Sequence, residues 1–179
     1  MAFFSRENTY SHLKKLIIFA DTMNMTLLAI GKTDFPWVKE GLELYISRLK
    51  RYVPFKLEEI PHLKNASALS EAIIKEKEGE IILSKLRPAD YVILLDEHGK
   101  EYRSIEFSQK LESLMSRSSR DIVFVIGGAY GFSEAVYSRA DEKLSLSKMT
   151  FSHQMVRTVF AEQLYRAFTI MKGEPYHHE

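Results

Sequence analysis

The stretch Ile122-Val-Phe-Val-Ile-Gly-Gly-Ala-Tyr-Gly131 decides the fold. Its first five residues are all apolar, a strand with no polar face, which suits a sheet covered on both sides. The strand runs straight into Gly127, Gly128 and Gly131, where missing side chains let the backbone turn sharply and approach a ligand. Upstream, Tyr91 to Leu95 repeats the continuous apolar pattern, and a turn is expected at Glu97-His98-Gly99-Lys100. Thr26 to Ile30 reads as a first strand ending at Gly31, and Phe55 to Ile60, stopped by Pro61, as a second. Between them Val38, Leu42, Tyr45, Ile46, Leu49 and Tyr52 recur at three and four residues behind Pro36, the pattern of an amphipathic helix. A charged helix is expected from about Ala68 to Leu86, ended by Arg87-Pro88, and another around Ile105, Phe107, Leu111 and Leu114. After the glycine loop come a short helix from Ser133, a brief strand near Lys143 to Leu146 and a long helix from about Ser152 to Met171. Strand and helix alternate, so the expected fold class is α/β, a mostly parallel sheet flanked by helices.

The chain of 179 residues has room for one domain with a short appendage, and its 45% hydrophobic content supplies a core. No run approaches the roughly 18 apolar residues of a membrane span, so no membrane partner is expected. The absence of cysteine excludes disulfides and cysteine metal sites and fits a cytoplasmic protein. Twenty-five basic and 24 acidic residues leave a net charge of +1, so no bulk excess draws nucleic acid to the surface. An RNA site would be a local patch or one shared between subunits. Residues 1–24 read as an N-terminal extension without function. The apolar run Leu16 to Phe19 behind Lys14 and Lys15 is too short for a signal peptide, and no small-residue cleavage site follows. Met23 and Met25 are alternative starts, and 25–179 is expected to form a single domain.

Residues able to do chemistry gather in the last third. The loop from Gly127 to Gly131 suits a cradle for an anion or cofactor, and equally a tight turn that needs glycine. It is not the phosphate-binding Gly-x-x-x-x-Gly-Lys-Ser/Thr loop, because no Lys-Ser/Thr pair follows, and it lacks the spacing of the dinucleotide fingerprint. In Leu144-Ser-Leu-Ser-Lys-Met-Thr-Phe151, hydroxyls and backbone groups face a polar ligand while Leu146, Met149 and Phe151 flank an apolar ring. Ser147, Thr150 or Ser152 equally suit capping of the last helix. On that helix His153 and Arg157 lie four apart on one face, as do Glu162 and Arg166, and the second pair reads as a structural ion pair. The first pair puts cations where the helix dipole disfavours them, which points to a bound anion. Val156, Val159, Phe160, Leu164, Ala167, Phe168 and Met171 form its buried stripe. The tail Pro175-Tyr176-His177 sets a rigid proline before an aromatic ring and an imidazole, and reads as packed in place. Adjacent His177 and His178 have no third ligand, so no metal is expected.

Together, Val92 to Lys100, Phe124 to Gly131, Leu144 to Arg157, Glu162 to Ala167 and Pro175 to His177 closely resemble, in order, spacing and wording, the RlmH family. These are the 23S rRNA pseudouridine N3-methyltransferases of the SPOUT class, and the resemblance runs from Met25 to the C-terminus. It implies an α/β fold with a C-terminal trefoil knot, an exception to the unknotted rule, and a homodimer. It implies S-adenosylmethionine as methyl donor, held by Leu95, Gly127 and the segment Leu146, Ser147, Lys148, Met149, Thr150 and Phe151. The substrate it implies is a pseudouridine in the 23S rRNA of the assembled ribosome. Transfer from a sulfonium needs in-line positioning, and the imide N3–H needs a base or a nearby cation. His153, His177 and Tyr176 are therefore the candidates for proton handling or base stacking, and Arg157 for an RNA phosphate or the developing anion. The family usually ends in Tyr-His followed by Arg or Lys. Here position 178 is His, which supplies less phosphate attraction than a permanent cation. Two competing readings are a SPOUT enzyme acting on another RNA such as tRNA, and a non-enzymatic nucleotide-binding module.

Overall fold

In the computed structural model, which describes residues 23–177, the apolar runs become five strands. They are β1 (Met25–Ile30), β2 (Phe55–Ile60), β3 (Tyr91–Glu101), β4 (Ile122–Ile126) and β5 (Glu142–Ser145). The helices are α1 (Pro36–Leu49), α2 (Glu71–Lys85), α3 (Ser104–Arg117), α4 (Glu134–Arg139) and α5 (Met155–Lys172). All strand pairs are parallel, in the order β2-β1-β4-β3-β5. The chain is thus an α/β domain, a parallel sheet flanked by helices.

β4 lies at the centre, with Ile126 opposite Ala29 of β1 and Leu95 of β3. Side chains alternate across it. Ile122, Phe124 and Ile126 join Leu42 of α1, Leu111 of α3 and Phe160, Leu164 and Phe168 of α5 in one core. The rings of Phe124 and Phe160 stand 4.7 Å apart. Val123 and Val125 face the other way, onto Ile82 of α2, Phe132 and Val136 of α4. Burial on both faces is why β1, β4 and the first five residues of β3 carry no polar alternation.

Three boundaries differ from expectation. β3 continues to Glu101, so the expected turn at Glu97 to Lys100 lies inside the strand, as an irregularity in its pairing with β5. Gly99 permits this, since a Cβ there would stand 2.5 to 2.7 Å from the backbone of Lys143 and Leu144. The charged helix starts at Glu71, because Ser70 caps it by accepting a bond from the Ile73 N–H, while Ala66–Ala68 form a separate 3-10 turn. The packed body also reaches back beyond Met25. Met23 is 1% exposed in the core, and Asn24 binds Asp121 through its backbone N–H at 2.7 Å and its side-chain amide at 3.2 Å. The remainder of the expected extension, and His178, lie outside the described residues. Among those residues no helix is long and apolar enough to cross a membrane.

A chain begun at Met25 is expected to unfold at lower urea than one begun at Met23, with a loss of about 2–4 kcal/mol from the missing methionine and Asn24 contacts. Equal midpoints would show that Met23 and Asn24 are not part of the folded unit.

Candidate ligand cavity at the carboxyl ends of the strands

Parallel strands deliver all their following loops to one edge, and here those loops enclose a cavity of about 850 Å³. Three segments build it. Leu95 to His98 comes from β3, Ile126 to Phe132 follows β4, and Leu144 to His153 follows β5, apart from Lys148. Glu71, Ala72 and Lys75 of α2 close one side and Val156 of α5 another. The glycine loop is tight: Gly131 has φ +78, and its N–H donates to Gly128 O at 3.3 Å.

Of the residues expected to hold a ligand, Leu95, Gly127, Leu146, Ser147, Met149, Thr150 and Phe151 line this cavity, and so does His153. Lys148 does not; its side chain is 87% exposed, 4.0 Å from Glu101. The hydroxyls of the segment hold the loop's own shape. Ser147 Oγ accepts from Met149 N–H at 2.9 Å, and Thr150 donates to Glu97 at 3.0 Å. Ser152 Oγ accepts from Met155 N–H at 3.2 Å in the turn that leads into α5.

Two acids, one on the rim and one behind it, were not singled out by the sequence reading. Asp96 accepts bonds from Tyr137 Oη at 2.6 Å and His98 N–H at 2.8 Å. Burial opposes its ionisation, yet these bonds hold its carboxyl below the ordinary range, and burial together with Asp96 pushes the Tyr137 phenol up. Glu78, behind the glycine loop, is pushed up by burial, with the His62 imidazole pulling the other way.

His153 faces His62 edge-on, with ring centroids 6.1 Å apart. Burial, then the charges of Arg157 and His62, lower its pKa against the opposing pull of Asp34. The imidazole is therefore neutral near neutral pH, with a lone pair able to take a proton.

Arg157 corrects the sequence reading. Its side chain is 0% exposed and donates to Ile30 O at 2.8 Å, Thr33 Oγ1 at 2.8 Å, Glu59 Oε1 at 3.2 Å and His153 O at 2.9 Å. A guanidinium so committed has no face for an RNA phosphate. The misplaced cation at the helix start is a buried clamp rather than an anion site. Tyr176 and His177 also lie away from the cavity of their own chain. The Tyr176 hydroxyl donates to Glu162 at 3.1 Å and its ring lies 4.8 Å under Arg166, which pairs with Glu162 at 2.5 Å. Burial, Tyr45 and Glu162 raise the Tyr176 phenol, so it stays protonated. Among the described residues no cluster of three or more His, Asp or Glu side chains is placed to hold a metal.

A parallel sheet whose strand-to-helix loops enclose a half-apolar cavity at its carboxyl edge defines an α/β cofactor- or nucleotide-binding domain. The cavity alone goes no further than that. The chain belongs to the SPOUT methyltransferase family: a family model described as "Predicted SPOUT methyltransferase" matches residues 23–177. Similar proteins, each named ribosomal RNA large subunit methyltransferase H, come from Parabacteroides distasonis (57% identical), Flavobacterium johnsoniae (55%) and Bacteroides thetaiotaomicron (54%). Each match spans 157 residues, 88% of this chain and 100% of the relative.

Replacing Arg157 by alanine is expected to cost about 3 kcal/mol or more in denaturant unfolding, because Glu59 and Ile30 O lose a buried partner. Unchanged stability with weakened RNA binding would restore the phosphate role. For His153, a depressed folded pKa means the unfolded chain binds the proton more tightly. Its contribution to stability is thus present above the ordinary value near 6.5 and is lost as pH falls through the folded pKa. An imidazole NMR titration should give a midpoint below the ordinary value; one above it would contradict the burial argument.

Proposed function

We propose that the chain transfers a methyl group from S-adenosylmethionine to N3 of a pseudouridine in 23S rRNA of the assembled ribosome. The observation that carries this reading is the gathering of Leu95, Gly127 and most of the Leu146-to-Phe151 segment around one cavity, in a chain whose full-length relatives bear a ribosomal RNA methyltransferase name. We further infer a cytoplasmic homodimer with the trefoil knot of its family in the C-terminal third, and no part in the reaction for residues 1–22.

The residues present fit the donor. Leu95, Ile126, Leu146 and Val156 offer apolar surface to an adenine ring, and Gly127 and Gly128 bring backbone close to the ligand. Lys148 takes no side-chain part in holding it. When bound, the donor supplies an electrophilic methyl carbon whose bond to sulfur breaks as the bond to nitrogen forms. His153, neutral at the rim, takes the N3 proton onto its free ring nitrogen. Val156 and Ile126 exclude water from the reacting atoms.

Tyr176 is braced against Tyr45, Glu162 and Arg166, so its role and that of His177 belong to a site assembled between two copies, where a braced tail stacks on RNA bases. The stacked, exposed pair Phe35 and Trp37, 50% and 59% exposed, supports a covered surface of this kind.

Labelled methyl transfer should reach intact ribosomes, and mapping should place it on a pseudouridine of the large-subunit RNA. Labelling of tRNA alone would overturn the substrate. His153→Ala should lower kcat by roughly 100-fold or more; full turnover in that variant would remove the proposed base.

A further inference from the structure

Glu78 lies on α2 and is 6% exposed, and its Oε2 has no hydrogen-bond partner among the described residues. Its carboxyl rests against the α-carbon of Gly128. A Cβ at Gly128 would fall 2.9 Å from Glu78 Cδ and Oε1 and closer still to Oε2, so only glycine lets the carboxyl sit there. Gly128 in turn lines the cavity. One residue along α2, Gly79 is pressed onto Ser133, whose buried Oγ also lacks a partner among the described residues. Buried polar atoms are nearly always satisfied, and two orphans on the seam between α2 and the glycine loop mark a place not arranged for stability alone.

Of the other acids of the rim, Glu71 is exposed to solvent at the start of α2, and the remaining two are engaged. Asp96 is held by Tyr137 and His98, and Glu97 accepts from Thr150. Among the described residues, the His62 imidazole is the group whose charge would act on Glu78.

We propose that Glu78 is the buried counter-charge of the cavity, a carboxylate one α-carbon behind its wall that favours a cationic ligand over a neutral ligand of the same shape. The inference rests on the cavity being the S-adenosylmethionine site. Donor and product differ there by a single methyl and by the positive charge on sulfur, so a carboxylate ionised opposite that charge, against the pull of its burial, holds the donor and lets the product go. Because the sulfonium charge falls as the methyl leaves, the attraction is stronger in the ground state than in the transition state. It therefore lowers donor KM and does not raise kcat. Glu78 touches no reacting atom and is a positioning residue, acting across Gly128.

The test is calorimetric binding to the full chain and to Glu78→Gln, which keeps the shape and removes the charge. The probes are S-adenosylmethionine, S-adenosylhomocysteine and an analogue with a protonated amine in place of the methyl sulfonium. The variant should weaken both cationic ligands on the order of tenfold while leaving S-adenosylhomocysteine unchanged. In methyl transfer its donor KM should rise while kcat does not fall. Equal weakening of all three would make Glu78 a purely structural support of the loop and overturn the inference, as would no change in any. If Glu78→Gln fails to fold, the unaltered chain decides: the amine analogue must bind more tightly than S-adenosylhomocysteine, and equal affinity overturns the inference. Binding of none of the three to the unaltered chain contradicts the donor reading itself.

Discussion

One buried guanidinium holds the functional edge of this molecule together. A charge taken out of water is tolerated only where its donors meet acceptors, and Arg157 meets four. Those acceptors come from the last residue of β1, the loop after it, the penultimate residue of β2 and the turn before α5. Gln154 reinforces the joint by donating to Lys32 O at 2.7 Å and accepting from Asp34 N–H at 3.1 Å. The segment from Leu146 to Phe151 crosses the strand ends between β5 and this anchor. Without it the loop would have one fixed end and the cavity one wall fewer, and His153 would not be held at the rim.

The sheet imposes the rest. With every strand parallel, Leu95, Ile126 and Leu144 stand level across the sheet, and the segments that follow them meet at the same edge without long excursions. Apolar residues from the strand ends form the floor, and polar groups line the rim. These groups do not share one state: Asp96 is held ionised by its donors and His153 is held neutral, while behind the wall Glu78 is buried with its Oε2 unbonded among the described residues. At the other end of α5, the Glu162–Arg166 pair and the Tyr176 ring form a separate packed assembly that braces the tail.

Much of the fold was legible because buried strands such as β4 leave an unmistakable run, and the half-buried edge strand β2 is marked by the proline that stops it. Phe55 to Ile60 and Ile122 to Ile126 were read to the residue, and the glycine loop and the Leu144-to-Phe151 segment were singled out before their meeting point was known. The failures share a cause. Spacing reveals which residues share a helix face, but not what stands opposite. Helical side chains lean toward the N-terminus, so Arg157, in the first turn of α5, reaches back onto β1 and β2 instead of out to solvent. Glu78 looked like one more charge on a charged helix, and nothing in its neighbours announces that the glycine loop covers it. Gly99 carried the signal of a turn, although its missing side chain serves the close approach of β5. The tail was correctly read as packed, yet the sequence could not say that it packs on α5 and away from its own chain's cavity.

The central claim is that the cavity at the carboxyl edge receives the methyl donor. Crystals of the chain grown with S-adenosylmethionine test it most directly. The account predicts the donor seated between the Gly127-to-Gly131 loop and the Leu146-to-Phe151 segment, with His153 at the open side. Donor bound elsewhere, with this cavity filled only by solvent, would contradict it.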